Sequence, residues 1–267
     1  MPPPMLSREA GIFAYELRDD RLTGSAPLVL AVCIDGLQAL RSEEASFLSE
    51  AERESLRQFP GEPRPLGFLR GRWAAKQALV RGFGGQHREW SIANGVFGQP
   101  VAQFDAGVKP PVAVSVSHSN VGALALAVPA ACPAAIDCEV VSARNLDAIR
   151  SQMGEDELTA AARSGLPVID ALTMLWSLKE SACKVLGAGL SADFQVLGMT
   201  QFAFSGDDQL RVRFRHFAHI QGHALRRGGQ VASLVFAASS RIAGGGAPVL
   251  EQELALLCKP AGAKPGA

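Results

Sequence analysis

Along the 267 residues, apolar and polar positions fall into short strand-like runs set between stretches of helical period. Leu28 to Asp35 (Leu-Val-Leu-Ala-Val-Cys-Ile-Asp) is a continuous run rich in β-formers, which predicts a buried strand. Ser49-Glu50-Ala51-Glu52 has the form of a capping box, in which the serine oxygen and the glutamate satisfy free backbone N–H groups, so a helix runs from there or from nearer Ser42. Past Pro60-Gly-Glu-Pro-Arg-Pro65, Leu66 to Val80 resumes the helical period, with Leu69 and Trp73 on one face and Gly82 as its stop. Arg70, Arg72 and Lys76 on this helix are expected on its solvated side. Turn signals at Asn94-Gly95 and Gly98-Gln99-Pro100 make Ser91 to Asp105 a loop with short strands at most, and Val112 to His118 with Gly122 to Val128 reads as a hairpin.

After a linker at Val128 to Pro133, Ala134 to Glu139 is another strand that ends in acids. Asn145 to Met153 and Glu155 to Arg163 are short helical stretches, and Asp170 to Gly187 is a long helix closed by Gly187-Ala-Gly-Leu190. Arg211 to Phe217 alternates with period two, and Val231 to Ala237 is a further strand. Both halves thus read strand, helices, strands, with no repeat visible at the level of residues. The expected organisation is a loosely packed N-terminal arm over 1–26, a first α+β half over 27–128, a linker over 129–133, a second α+β half over 134–242 and a Gly/Ala/Pro-rich tail over 243–267 that frays around one helical patch, Leu250 to Leu257.

Composition narrows the partners. Hydrophobic residues make up 48% of the chain, enough for a real core. Lys plus Arg and Asp plus Glu both count 26, so no overall field favours nucleic acid or an anionic membrane surface. The nearly apolar run Val121 to Ile136 is shorter than the roughly 20 residues of a spanning helix and is broken by Pro129 and Pro133, so no membrane span is expected. Met1-Pro-Pro-Pro-Met5 opens no secretory signal. Five cysteines without a Cys-x-x-Cys pair argue against a disulfide framework and for a reducing, cytoplasmic setting.

Several groups carry candidate chemistry. In Trp176-Ser-Leu-Lys-Glu-Ser-Ala-Cys-Lys184, Glu180 and Lys184 stand i,i+4 on one helix face; alone, they read as an ordinary surface pair. Asp137 and Glu139 are one residue apart on a strand and point to the same side, either as exposed strand-end acids or as oxygen ligands of the kind that suits Mg²⁺. Ser117-His118-Ser119 at the hairpin tip is a polar turn, a phosphate cradle or, less simply, a Ser-His catalytic unit lacking its orienting acid. His216, His219 and His223 lie on a period-two pattern that would scatter them, so no metal site is assigned there. Neither a Gly-x-x-x-x-Gly-Lys-Ser/Thr loop nor a Gly-x-Gly-x-x-Gly fingerprint occurs.

Taken in order, Gly71-Arg72-x-x-Ala75-Lys76-x-Ala78-Leu79, Gly98-Gln99-Pro100, Ser115-Val-Ser117-His118-Ser119, Ala135-Ile136-Asp137-Cys138-Glu139 and Trp176-Ser-Leu-Lys179-Glu180-Ser-Ala-Cys-Lys184 resemble the Sfp-type 4′-phosphopantetheinyl transferases over about Arg64 to Val235. The resemblance implies an α+β fold, a pseudo-twofold pair of similar halves with the active site between them. It implies transfer of the phosphopantetheine arm of coenzyme A to a serine of an apo acyl or peptidyl carrier protein, as in holo-[acyl-carrier-protein] synthases, with release of 3′,5′-ADP. Asp137, Glu139 and Glu180 would then be ligands of Mg²⁺, or of Mn²⁺ in its place. Lys179 or Lys184 would stabilise charge, with Glu180 helping to deprotonate the serine. Ser117, His118, Arg72 and Arg64 would contact coenzyme A, together with the two lysines. Gln99 stands where the family often has a cation, which puts one coenzyme A contact in doubt. The implied protein is a monomer without nucleic-acid or membrane partners, and the resemblance does not choose between carriers of fatty-acid, polyketide and peptide synthesis. The alternative is a binding module for coenzyme A or the carrier that keeps the fold without turnover.

Overall fold

The computed structural model describes residues 11–19, 24–59, 64–188, 193–206, 208–243 and 246–258. The chain enters through β1 (Gly11–Asp19), which pairs along its length with β2 (Ser25–Cys33). The stretch expected to be a loose arm is therefore part of a sheet, at least over residues 11–19; residues 1–10 and 20–23 lie outside the described residues. Its signal was weak because only one face of β1 is covered, so Ile12, Ala14 and Glu16 stay exposed between partly buried neighbours. In contrast, β2 is covered on both faces. Leu28, Leu30 and Val32 enter one apolar cluster and Val29, Ala31 and Cys33 another, which explains its unbroken apolar run.

Three helices follow, α1 (Leu37–Phe47), α2 (Glu50–Arg57) and α3 (Arg64–Phe83), then a small hairpin, β3 (Trp90–Asn94) with β4 (Pro100–Phe104), and the hairpin β5 (Val112–His118) with β6 (Ala123–Pro129). The second half repeats the order: β7 (Ala134–Val140), helices α4 (Leu146–Ser151), α5 (Glu155–Arg163) and α6 (Val168–Leu186), strands β8 (Met199–Ser205) and β9 (Gln209–Phe214), and the hairpin β10 (Ile220–Arg227) with β11 (Gln230–Ala237). In each half the last strand returns antiparallel onto the opening one, β6 on β2 and β11 on β7. The fold is mixed α+β, with sheet orders β12-β1-β2-β6-β5 and β7-β11-β10-β9-β8. The edge strand β12 (Ser240–Ile242) is a short element from the end of the chain that pairs back with β1.

The two sheets enclose one apolar cluster, in which Leu30, Leu126 and Val128 meet Ile136, Leu234 and Phe236. On the far side of the first sheet, Leu69, Trp73, Ala74 and Ala78 of α3 pack on Ala31 and Ala125; on the far side of the second, Leu172, Leu175 and Leu178 of α6 pack on Val231 and Val235. Gly222 on β10 lets α6 come close, since a Cβ there would stand 2.6 Å from Leu178 Cδ2. The C-terminal stretch also differs from its expected role as a fraying tail. It forms α7 (Gly246–Leu257), whose Leu250, Leu254 and Leu257 are buried in the inter-sheet cluster. Residues 259–267, like Pro60–Pro63 and Leu190, lie outside the described residues.

Superimposing the element orders uncovers a repeat at the level of residues, which sequence inspection did not find. Glu52, the third residue of α2, accepts from its cap N–H at Ser49 (2.9 Å), from the N–H of Ile92 on β3 (3.2 Å) and from the buried ammonium of Lys76 on α3. Glu157, the third residue of α5, accepts from the cap N–H at Gly154 (2.7 Å), from the N–H of Met199 on β8 (3.0 Å) and from the buried ammonium of Lys179 on α6 (2.8 Å). Aligning Lys76 with Lys179 matches Trp73-x-x-Lys76-Gln77-Ala78-x-x-Arg81 to Trp176-x-x-Lys179-Glu180-Ser181-x-x-Lys184. Each half is locked by one glutamate that ties a short helix, a long helix and the following strand.

Two cations expected in solvent are consequently inside. Lys76 has no exposed surface, and Arg70 is 8% exposed, its guanidinium donating to the carbonyls of Ile34, Asp35 and Asn120. Breaking a buried pair strands the remaining charge. Lys76→Met and Lys179→Met are each expected to lower stability by about 3–5 kcal/mol, a fall of roughly 10 °C in melting temperature, as followed by circular dichroism; a change below about 1 kcal/mol would mean that the pairs do not hold the halves.

Candidate active site between the halves

β5 and β7 are edge strands of different sheets, and they meet side by side without a backbone ladder between them. Serines make the join. Ser115 Oγ accepts from the N–H of Ile136 (3.1 Å) and donates to its carbonyl (3.3 Å), while Ser117 Oγ donates to Asp137 Oδ1 (2.8 Å). Asp137 is 2% exposed and carries two further contacts from the second half, Lys184 Nζ at 2.8 Å from Oδ1 and Ser177 Oγ donating to Oδ2 at 2.8 Å; Lys184 also donates to the adjacent Ile136 carbonyl at 3.2 Å. A buried carboxylate is tolerable here because every contact supplies a proton or a positive charge.

Two further acids share this field. Glu139 follows Asp137 on the same side of β7, and its Oε1 accepts from the indole N–H of Trp176 at 3.3 Å. Burial, and then the charges of Asp137 and Glu180, push the Glu139 carboxyl up from its ordinary 4.5 to about 7. Burial and then Asp137 push Glu180 up to about 7 as well, with Lys184 working the other way. For Lys184, burial alone would pull the ammonium down. Asp137, with its hydrogen bond, and Glu180 more than offset this, so it is held above its ordinary value. Among the described residues no three His, Cys, Asp or Glu side chains are arranged as a metal-holding group. The three acids meet as a shared electrostatic field, with the Lys184 ammonium seated on one of them.

Not every residue singled out by sequence joins them. Lys179 is buried, and its ammonium donates to Glu157, to the Gln152 carbonyl (2.8 Å) and to the Phe194 carbonyl (2.9 Å); three donors meet three acceptors, and none is left for a ligand. The Ser117 hydroxyl is engaged with Asp137. His118 follows at the mouth of a cleft of about 1050 Å³ in the first half, which Arg64, Phe68, Arg72 and the β3–β4 hairpin also line. Burial, then the Lys184 charge, hold the His118 imidazole below its ordinary value. Arg72 lies over the Phe68 ring (4.7 Å) and 3.3 Å from Glu52, which is already paired with Lys76, so this trio carries one positive charge in excess. Gln99 Oε1 accepts from the N–H of Phe97 (2.9 Å), so this departure from the family pattern is occupied within its own turn. His216 and His219 lie in the β9–β10 connection, whereas His223 is on β10 against Phe236.

Sequence reasoning missed Ser177 and Ser233. Ser177 sits inside the Trp176 to Lys184 motif, and its Oγ is 2.8 Å from that of Ser233, the register partner of Asp137 on β11. A detectable signal existed. Ser233 is the polar interruption in Val-Ala-Ser-Leu-Val-Phe-Ala, a run otherwise suited to a core strand.

Residues 133–238 match the family model of the 4′-phosphopantetheinyl transferase superfamily. No curated protein matches the chain. Among solved structures, a holo-(acyl-carrier-protein) synthase from Bacillus anthracis str. Ames, in complex with CoA (3′,5′-ADP), is 25% identical over 37% of this chain and 93% of its own, with a TM-score of 0.31. The holo-[acyl-carrier-protein] synthase of Neisseria meningitidis is 19% identical over 38% and 95% (TM-score 0.31), and that of Thermotoga maritima 22% identical over 45% and 64% (TM-score 0.29). The span that matches the 4′-phosphopantetheinyl transferase superfamily model contains Asp137, Glu139, Glu180 and Lys184.

Proposed function

We propose that the protein transfers the 4′-phosphopantetheine arm of coenzyme A to a serine of an apo acyl or peptidyl carrier protein and releases 3′,5′-ADP. The observation that carries this reading is the meeting of Asp137, Glu139, Glu180 and Lys184 at the seam, within the span that matches the superfamily. The donor chemistry suits a divalent cation, Mg²⁺ or Mn²⁺ in its place: all the donors are oxygens, and the Glu139 and Glu180 carboxyls are raised by burial and then by the charge of Asp137. Asp137, Glu139 and Glu180 would hold it. When bound, the cation supplies positive charge to the pyrophosphate of coenzyme A.

The chain's own groups divide the remaining work. Lys184, kept charged by Asp137, faces the negative charge that builds as the serine oxygen bonds to the β-phosphorus and the bond from that phosphorus to the ADP oxygen breaks. Glu180 accepts the serine proton, for which a carboxyl near 7 is suited at neutral pH. Arg64, Arg72 and His118 contact the phosphates of coenzyme A in the first-half cleft, while Lys179 and Ser117 act through structure, Ser117 by fixing Asp137. A cytoplasmic, monomeric protein belongs to the same proposal; the cysteines form no disulfide, and no helix among the described residues is long and apolar enough to cross a membrane.

Incubation with coenzyme A, Mg²⁺ and a broad panel of apo-carriers tests the reading by mass spectrometry. The expected result is a phosphopantetheine increment on carrier serines, lost by about 10³-fold or more in Asp137→Ala and Glu180→Ala that remain folded; an unmodified panel with folded enzyme overturns it.

A second test uses pH. Glu139 and Glu180 titrate near 7 in the fold and near 4.5 when unfolded, so the fold gains from their protonation below about 4.5 and loses that gain as pH rises through about 7. Without metal, melting temperature should fall between pH 5 and pH 8. Added Mg²⁺ should raise it more at pH 8 than at pH 5.5, and an equal rise at both would contradict cation binding at these acids.

A further inference from the structure

Behind Asp137, between α6 and β11, lies a polar chain that the transfer reaction does not touch. Ser177 Oγ is 2.8 Å from Asp137 Oδ2 and 2.8 Å from Ser233 Oγ, and Ser233 Oγ is 2.8 Å from Ser181 Oγ. All three serines are fully buried. Each hydroxyl has one proton, and an ionised carboxylate can only accept. Ser177 therefore gives its proton to Asp137, Ser233 must donate to Ser177, and Ser181 donates to Ser233 Oγ, with the Ser233 carbonyl at 3.4 Å as a second, longer acceptor. The direction of the chain is fixed from one end, and its dipoles add along it.

The first half supplies an internal comparison. In the residue-level repeat, Ser177 and Ser181 align with Ala74 and Ala78 of α3, both fully buried and packed on Ala125 and Ala127 of β6. The same scaffold thus closes with methyl groups where its long helix carries Gln77 in place of Glu180 and no aspartate needs support. Burying a hydroxyl costs about 1–3 kcal/mol unless it is hydrogen-bonded, so the serines are not what this fold requires for packing.

We propose that Ser233, with Ser181 behind it, is a positioning residue that acts through Ser177 on Oδ2 to fix the Asp137 carboxylate, whose Oδ1 is held by Ser117 and Lys184. This inference rests on the cation-binding reading of Asp137. Groups that orient metal ligands from behind typically contribute 10- to 100-fold to metal affinity.

The test is Mn²⁺ binding to the metal-free protein, followed by electron paramagnetic resonance, alongside the melting temperature of each variant. Ser233→Ala is expected to weaken Mn²⁺ binding about 10-fold, and its carrier modification to recover at raised metal concentration with the KM for coenzyme A unchanged. Ser181→Ala, one bond further out and with the rest of the chain intact, is expected to weaken Mn²⁺ binding by a smaller factor, and it serves if Ser233→Ala does not fold. Native affinity in both variants, or a lowered melting temperature with unchanged affinity, overturns the inference. Failure of the native protein to bind Mn²⁺ is a separate result, which overturns the three-carboxylate reading and this inference with it.

Discussion

The Asp137 carboxylate, buried where two sheets meet at their edges and paired with Lys184, is the constraint around which the rest is arranged. A charge there is tolerated only while Ser117 from one half and Lys184 and Ser177 from the other remain in contact with it. The carboxylate thereby joins the halves, seats the only lysine of α6 that still faces the acids, and raises the carboxyls of Glu139 and Glu180 through its own charge. Stability and chemistry pull against each other at this point. Three acids near one ammonium form a poor packing unit and a good place to receive a cation and a polyanionic substrate.

Duplication accounts for the division of labour. Both halves keep the glutamate that caps a short helix and grips a buried lysine, since that device holds the layers wherever it is placed. Beyond it they diverge. The first half closes its helix–sheet interface with alanines and opens a cleft lined by Arg64, Arg72 and His118. The second replaces alanine with serine and glutamine with glutamate, and there the acids accumulate.

Much of this was legible in the sequence. The order of strands and helices was readable because β2, β6 and β7 are buried on both faces, and α6 has an unbroken apolar stripe ended by Gly187 in the left-handed conformation (φ 65°). Asp137, Glu139, Glu180 and Lys184 were singled out by their motifs; in the structure Lys184 pairs with Asp137, and the charges of Asp137 and Glu180 act on Glu139. What failed was orientation. Lys179 and Lys184 look equivalent along the sequence, but five residues of helix turn one toward Glu157 and the other toward Asp137. Lys76 and Arg70 were placed outside because nothing local reveals that Glu52 or three carbonyls lie across from them. The strand β1, and the packing of α7 whose helical patch at Leu250 to Leu257 was expected to fray, were missed because their partners lie at the opposite end of the chain.

The central claim is that three acids from β7 and α6 serve one cation, with coenzyme A held across the seam. A crystal structure with coenzyme A and Mn²⁺, collected to give anomalous differences, tests it most directly. The account predicts one strong anomalous peak contacted by Asp137, Glu139 and Glu180, with the pyrophosphate beside it and the rest of the coenzyme in the cleft near Arg64, Arg72 and His118. A peak held by other residues, or coenzyme A bound away from His118 and Lys184, would contradict it.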